Sequence, residues 1–340
     1  MKRTFLLCFI LLGWLHSAFG QATFNIDGFS EQYYGKVYFS DTTQTASAGW
    51  VEVYDRTTKK KLIHVDANEL LFDLHDGEIM ANIAEIPYGE YSVLIYEDYN
   101  FDGIKDFAIM DGFNSCYGGP SFKIFLASGK EFIYNDAFTD LAQNYCGMFV
   151  VDNKNKIIST MEKSGCCLHY YSDFVVENNN PKLIRTRTDD CLKAPICTTT
   201  IEEWKGEKMT KTVTSTIDLD SEIISDYFKF HVDKENKDII LCNFDDNRLC
   251  YVILDAKQNV EFYYPFEELR QTSDFIFYRK NGKLTFKNKD ASYTIYDKSG
   301  NMGIDITYKG KTHQWKGNPG SRRGSLIKLM KAKYDNVVYQ

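Results

Sequence analysis

Residues 98–106 read Asp-Tyr-Asn-Phe-Asp-Gly-Ile-Lys-Asp, and what their spacing offers is oxygen chemistry. Side-chain oxygens stand at loop positions 1, 3, 5 and 9 (Asp98, Asn100, Asp102, Asp106), and Gly103 supplies the sharp turn at position 6. Ile104, at position 7, contributes only its backbone carbonyl. This is the ligand order that a hard Ca²⁺ takes from one tight loop. A true EF-hand would carry a glutamate where Ile109 stands, and helices would flank it. Here Tyr91-Ser-Val-Leu-Ile-Tyr96 precedes the loop and Phe107-Ala-Ile-Met110 follows it, both short apolar runs of β-forming residues. The expectation is a calcium loop joining two strands, with Asp98, Asn100, Asp102, Ile104 and Asp106 as ligands. The alternative is an Asp/Asn/Gly hairpin turn without metal.

A second stretch, Asn114-Ser-Cys-Tyr-Gly-Gly-Pro-Ser121, follows directly. Small residues with glycine and proline make a short stiff loop that can project Tyr117 as an anchor. Tyrosine suits that task, because it offers a large contact area at low entropy cost. The stretch up to Ser121 is read as a partner-binding loop, against a tight turn with Tyr117 folded back on the sheet. Catalytic signals are thin. Ser325-Leu-Ile-Lys328 fits Ser-x-x-Lys without the partner motifs of that chemistry. His169 stands among aromatics in a strand-like segment, where packing is the commoner role. No phosphate loop, Gly-x-Ser-x-Gly or His-Glu-x-x-His occurs. The chain does not read as an enzyme.

Lys2 and Arg3, an apolar run from Phe5 to Leu15, and Ser17-Ala-Phe-Gly20 form a secretory leader over residues 1–20. The mature protein is therefore expected to be exported, periplasmic or extracellular. No later segment approaches the about 20 apolar residues of a membrane span. The chain has 340 residues and 47 acidic against 40 basic side chains, a net charge of −7 that loss of the leader deepens. Such a balance disfavours nucleic acid and suits a cationic partner.

With Cys8 in the leader, eight of the nine cysteines remain, and an even number in an exported chain implies disulfides. Cys242 and Cys250 flank the turn-like Asp245-Asp-Asn247 symmetrically. A cross-strand pair would place their α-carbons about 4.5–5.5 Å apart, within disulfide reach. Cys116, Cys146, Cys166, Cys167, Cys191 and Cys197 leave several connectivities open, with Cys116–Cys146 one guess. Adjacent Cys166 and Cys167 are not expected to bond, since that ring strains the intervening peptide. No Cys-x₂-Cys spacing points to zinc.

Positioning these loops falls to strands, because apolar–polar alternation runs almost unbroken from Gly35 to Tyr308. Helical spacing is confined to Asp136–Gln143 and to 325–333. The fold class is all-β: two β-sandwich or small-barrel domains, with a calcium loop in a hairpin. A polar break at Asp218-Leu-Asp-Ser-Glu222 sets the expected domains at 21–219 and 220–340. Phe149–Ile158 echoes Phe230–Ile240, a likeness that two hairpins with Asp/Asn/Lys turns would share.

In chain order, Asp98-x-Asn-Phe-Asp-Gly-x-x-Asp-Phe, Tyr117-Gly-Gly-Pro-Ser-Phe122, Gly147-Met-Phe149 and Ser164-Gly-Cys-Cys-x-His169 carry a family resemblance. They resemble the periplasmic immunity proteins that neutralise lysozyme-like effectors of bacterial type IV secretion systems. That group is similar in fold to the periplasmic inhibitors of I-type lysozyme. The resemblance spans roughly residues 85–195. It implies a calcium-stabilised sandwich whose loop, with Tyr117, Gly118 and Gly119, enters the cleft of a peptidoglycan hydrolase. The Ser-Gly-x-x-Tyr signature of those inhibitors is absent around Tyr117, and the last 120 or so residues have no counterpart. The function expected is that of an exported calcium-binding protein that binds and inhibits such a hydrolase, loop in cleft. The alternative is a calcium-dependent adhesion or glycan-binding module, with Trp204 and Trp315 lining a groove.

Overall fold

A computed structural model describes residues 20, 22–71, 74, 79–82, 92–222, 224–244, 247–265, 273–298 and 300–340. The expected leader, apart from Gly20, and the turn residues Asp245 and Asp246 lie outside the described residues. The chain divides into two compact units, Met1–Glu162 with Ser172–Leu183, and Lys163–Tyr171 with Ile184–Gln340. Asp218–Glu222 falls inside the second unit. A polar break in the sequence marks an end of strand pairing, and here it separates two sheets rather than two units.

In the first unit, β1 (Ala22–Ile26), β2 (Tyr33–Phe39), β3 (Ala46–Asp55) and β4 (Lys61–Leu71) form an antiparallel meander in chain order. A second meander contains β5 (Leu94–Glu97), β6 (Asp106–Gly112), β7 (Ser121–Ser128) and β8 (Glu131–Tyr134). Alternation explains the first: β2 buries Tyr33, Gly35, Val37 and Phe39 and leaves the residues between them half-exposed. β6 is instead buried almost throughout, and its Phe107-Ala-Ile-Met110 run is continuous for that reason. Both sheets contribute to one core with Val51, Val53, Leu94, Phe107 and Phe122 at its centre. Helix α1 (Asp136–Gln143) closes the core with Phe138 and Ala142. Its start is fixed by Asn135, whose side chain accepts the Phe138 N–H at 3.0 Å.

A six-stranded meander then follows in chain order: β9 (Val150–Asp152), β10 (Ile157–Ser164), β11 (Leu168–Glu177), β12 (Asn180–Lys193), β13 (Ile196–Lys205) and β14 (Lys208–Ile217). The division between the units falls within β10, β11 and β12.

The rest of the second unit has a four-stranded meander of β15 (Tyr227–Val232), β16 (Lys237–Phe244), β17 (Arg248–Leu254) and β18 (Val260–Tyr264). Its last sheet contains β19 (Phe275–Tyr278), β20 (Lys283–Asn288), β21 (Ala291–Lys298), β22 (Asn301–Tyr308), β23 (Lys311–Lys316) and β24 (Val337–Tyr339). β24 returns parallel to β19, and every other pairing given for the described strands is antiparallel. Helix α2 (Leu326–Leu329) packs Leu326 and Leu329 into the same core. The β15–β18 sheet is covered on both faces. Leu241, Tyr251 and Ile253 enter one cluster, and Ile240, Val252 and Leu254 the other. Ile239-Ile-Leu241 and Val252-Ile-Leu254 lack alternation for that reason. The protein is all-β, with several antiparallel sheets, and among the described residues no sheet closes into a barrel.

Three disulfides are present: Cys116–Cys146, Cys166–Cys167 and Cys191–Cys197. Two expectations need correction. Cys242 and Cys250 face each other across β16 and β17 as the hairpin register requires, yet both are free and buried. A facing register brings the α-carbons into range, but a bond also needs the two sulfurs to meet. Here both sit in an apolar cluster with Ile196, Ile240 and Val252. Burial pushes the Cys242 thiol up to about 12 and raises Cys250 well above its ordinary value. Conversely, the adjacent Cys166 and Cys167 are joined. They lie in the turn after Gly165 (φ 68°), where no ladder fixes the peptide between them.

Candidate calcium loop and tyrosine turn

Residues 98–105 link β5 to β6, which pair antiparallel from Leu94↔Ile109 to Glu97↔Asp106. Side chains fold the loop inward onto its own backbone. Asp98 accepts the Asp102 N–H at 3.2 Å on one oxygen and the Gly103 N–H at 2.8 Å on the other. The Asn100 carbonyl oxygen accepts the Asp102 N–H at 3.2 Å, and Asp102 accepts the Ile104 N–H at 2.7 Å. Phe101 (φ 63°) and Gly103 (φ 89°) take the left-handed conformation that this path demands. The Ile104 side chain is 52% exposed, consistent with a position that offers only its carbonyl.

Asp106 is different. It is fully buried, and its two oxygens accept the Tyr99 and Ala127 N–H groups, each at 2.8 Å. Burial pushes its carboxyl up to about 6 against those hydrogen bonds, and the charges of Asp102 and Asp98 add to the push. Burial also raises Glu97, next in the chain to Asp98, and the Asp98 charge contributes. None of Glu97, Asp98, Asp102 and Asp106 forms an ion pair among the described residues. The loop's one cation, Lys105, lies over the Tyr96 ring at 5.4 Å. Asp238 in the second unit makes the contrast. Burial would raise it too, but hydrogen bonds from Lys229 and His231 hold it below the usual carboxylate range.

Among the described residues no three His, Cys, Asp or Glu side chains converge to hold a metal by themselves. The donors of this loop are a mixed set, three carboxylates with an amide and a carbonyl. They are oxygens throughout, and a buried carboxylate without a counter-ion is what a divalent cation relieves. The donor set therefore fits calcium in kind. The sequence reading missed Asn179, whose side-chain oxygen accepts from Asn100 at 3.0 Å and ties the loop to the turn after β11. A run of three asparagines, Asn178–Asn180, was its only signal.

At the other end of β6 stands the tyrosine turn. Cys116–Gly118 is one 3-10 turn in which Tyr117 has φ 55° and is 64% exposed. The turn is fastened at several points. Gly119 N–H donates to the Cys116 carbonyl at 3.1 Å, Cys116 N–H to the Tyr145 carbonyl at 3.1 Å, and Cys116 is bonded to Cys146. Buried Ser115 accepts the Gly147 N–H on its hydroxyl at 3.1 Å. A side chain at position 119 would come within 2.7 Å of that hydroxyl, so glycine is required there by space. Gly118 (φ 69°) is exposed and Gly119 half-buried.

Ser121, taken above as a partner contact, is fully buried rather than presented at the surface. Its hydroxyl donates to Asp111 at 2.6 Å and accepts the Asn114 N–H at 3.2 Å. It holds the base of the loop, since its hydroxyl also reaches the Gly112 carbonyl at 3.1 Å where β6 enters the turn.

The two features do not adjoin. β6 runs from Asp106 to Gly112 between them, roughly 20 Å at a strand's rise. The remaining candidates are not assembled into chemistry. Lys328 turns to Asp226 at 3.1 Å rather than to Ser325, and His169 is half-buried on β11. Trp204 and Trp315 are both half-buried, Trp315 beneath Lys237 at 5.9 Å. No helix among the described residues is long and apolar enough to cross a membrane.

No protein-family model matches the chain, and no curated protein does. Among solved structures it is similar to a Xanthomonas type IV secretion system related protein, with 20% identity over 58% of this chain and 94% of that one, at a TM-score of 0.44. It is also similar to a prolyl endopeptidase structure, with 7% identity over 88% of this chain and 43% of that one, at 0.28. A mutant of AofleA from Arthrobotrys oligospora matches with 7% identity over 86% of each chain, at 0.23. At these values the likenesses assign neither a fold nor a function to the chain.

Proposed function

We propose that this chain is an exported, calcium-stabilised protein that binds and inhibits a lysozyme-like peptidoglycan hydrolase by placing Tyr117 in the enzyme's cleft. The observation that carries the reading is the presentation of Tyr117: an aromatic side chain 64% exposed on a turn held by a disulfide. A turn that is already ordered gives up little freedom on binding, so more of the contact energy appears as affinity. Gly118 leaves room beside the ring, while Ser121 and Asp111 hold the base. The acidic balance of the chain complements a cationic enzyme and speeds encounter. Calcium belongs to the far end of β6 and supports the fold rather than the contact.

The test is a cell-wall lysis assay with a panel of hydrolases, with and without the purified protein. A central aromatic anchor loses about 2 kcal/mol or more on truncation, roughly thirtyfold in affinity. Tyr117→Ala should therefore weaken inhibition about thirtyfold and leave thermal unfolding unchanged. A protein that slows no hydrolase in the panel, yet binds isolated glycan strands, is a glycan-binding module instead.

A further inference from the structure

The second unit carries a cleft of another chemistry. Its floor is apolar. Phe277 on β19 and Tyr339 on β24 face each other in parallel register with ring centroids 6.0 Å apart, and buried Met330 packs beside them from the turn after α2. Ile327, on the outer side of α2, lines the same cleft and is 50% exposed. Its rim is cationic: Arg279, Lys331 and Lys333 line it, and no acidic side chain does. The Arg279 guanidinium lies 5.4 Å from the Tyr339 ring centroid, so its charge sits over the apolar floor.

These three cations form no ion pair among the described residues. Some basic side chains elsewhere in the unit have found acids: Lys237 with Glu261, Arg248 with Asp274, Arg322 with Asp297 and Lys328 with Asp226. Three cations and no acidic side chain thus line one apolar floor, so the cleft is positively charged and leaves hydrocarbon in water. One kind of ligand relieves both. An inorganic anion would meet the charges and leave Ile327 and the floor wet. A neutral hydrocarbon would cover the floor and leave the charges facing each other. A cation would be repelled.

We propose that this cleft binds a small amphipathic carboxylate. Its hydrocarbon body would lie against Phe277, Met330 and Ile327, and its carboxylate would be held by Arg279, with Lys331 and Lys333 adding attraction. A planar guanidinium can grip a carboxylate with two parallel hydrogen bonds, while each lysine acts as a point charge.

The probe is sodium octanoate, titrated calorimetrically into the full mature chain below its micelle concentration. Octanol and octylammonium of the same chain length serve as comparators. Saturable one-site binding of octanoate is expected, with octanol at least tenfold weaker and no binding of octylammonium. Arg279→Gln should weaken octanoate at least tenfold. Because Arg279 packs on Tyr339, the exposed Lys331→Gln and Ile327→Asp serve as second variants, each expected to weaken octanoate several-fold with unchanged thermal unfolding. The proposal is overturned if octanoate shows no saturable binding, if octylammonium binds equally well, or if none of the three variants alters octanoate affinity.

Discussion

At its Asp106 end, β6 is tied to its neighbours by a buried carboxylate that takes N–H groups from Tyr99 and Ala127. At its Gly112 end it runs into a turn fastened by Cys116–Cys146 and by the Ser115 hydroxyl. The first brace is a titratable carboxylate and, on the proposed reading, a calcium ligand, whereas the second is a disulfide open to reduction. Only the second carries an exposed aromatic. On the proposed function, stability and recognition would fall at opposite ends of one strand, and each should be removable without the other.

The largest separation comes from the disulfide. Cys116 and Cys146 are 30 residues apart, and the chain-entropy model gives about 3.5 kcal/mol for closing a loop of that size. Cys116→Ser with Cys146→Ser should lower the stability of the first unit by about that amount in urea unfolding, and should weaken inhibition by freeing the tyrosine turn. Calcium affinity, read by titration, should stay within about twofold, since that loop is at the other end of the strand. A tenfold loss of calcium affinity in the double variant would mean that the two braces act as one.

The carboxylate brace should show itself through pH. Asp106 is pushed from 3.8 up to about 6 by burial, with Asp102 and Asp98 adding, and about two pKa steps amount to about 3 kcal/mol. A carboxyl whose folded pKa lies above its unfolded one binds protons more tightly when folded. Its favourable contribution is therefore complete below about pH 4 and lost as pH rises through about 6. In chelator, the stability of the wild type relative to Asp106→Asn should fall by about 2 kcal/mol between pH 4 and 7. Asp238, held down by Lys229 and His231, works in the opposite sense and loses its contribution as pH falls below the usual carboxylate range. A wild-type-minus-variant difference that is flat across pH 4–7 would remove the claim that Asp106 is uncompensated.

Much of this was legible in the sequence, and the parts that were not share a cause. Strands, the β13–β14 hairpin turning at Gly206–Glu207, and α1 follow from periodicity and caps that lie within a few residues of one another. The echo of Phe149–Ile158 in Phe230–Ile240 is two hairpins with four-residue turns, 153–156 and 233–236, each ending in a residue of positive φ. Cys242 facing Cys250 was legible as register, but sulfur pairing depends on how the surrounding Ile196 and Val252 pack, which no local pattern records. The apolar cleft of the second unit had no signal at all. Its lining includes Phe277, Ile327 and Tyr339, and Phe277 meets Tyr339 only when β24 returns beside β19.

Calcium itself gives the next effect in size. Extracellular loops of this kind bind at roughly 10⁻⁴–10⁻³ M, so a hundredfold excess should add about 2.7 kcal/mol to the first unit. Asp102→Ala should abolish that gain, because it removes a side-chain donor and the acceptor of the Ile104 N–H. Inhibition by the folded variant should remain within about threefold of wild type, since Tyr117 is roughly 20 Å away along β6. Thermal unfolding of both proteins with chelator and with calcium decides the matter, and an unchanged calcium gain in Asp102→Ala would place the ion elsewhere.

The smallest effect is the sharpest probe of how the loop is held. Gly103 has φ 89°, and a β-carbon built there meets nothing within 4 Å. Gly103→Ala therefore introduces no clash, and its whole cost is the left-handed conformation, about 1–2 kcal/mol for a residue with a side chain. That cost should appear equally with and without calcium if the Asp98 hydrogen bonds to Asp102 and Gly103 already hold the turn before the ion arrives. If calcium instead imposes the turn on a loop that is otherwise free to relax, the penalty should vanish in chelator and reappear as an about tenfold loss of calcium affinity. Calcium titration and chelated unfolding of the same variant separate the two cases. Finding the penalty only with calcium would show that the ion, and not the loop's own side chains, sets the backbone at the Asp106 end of β6.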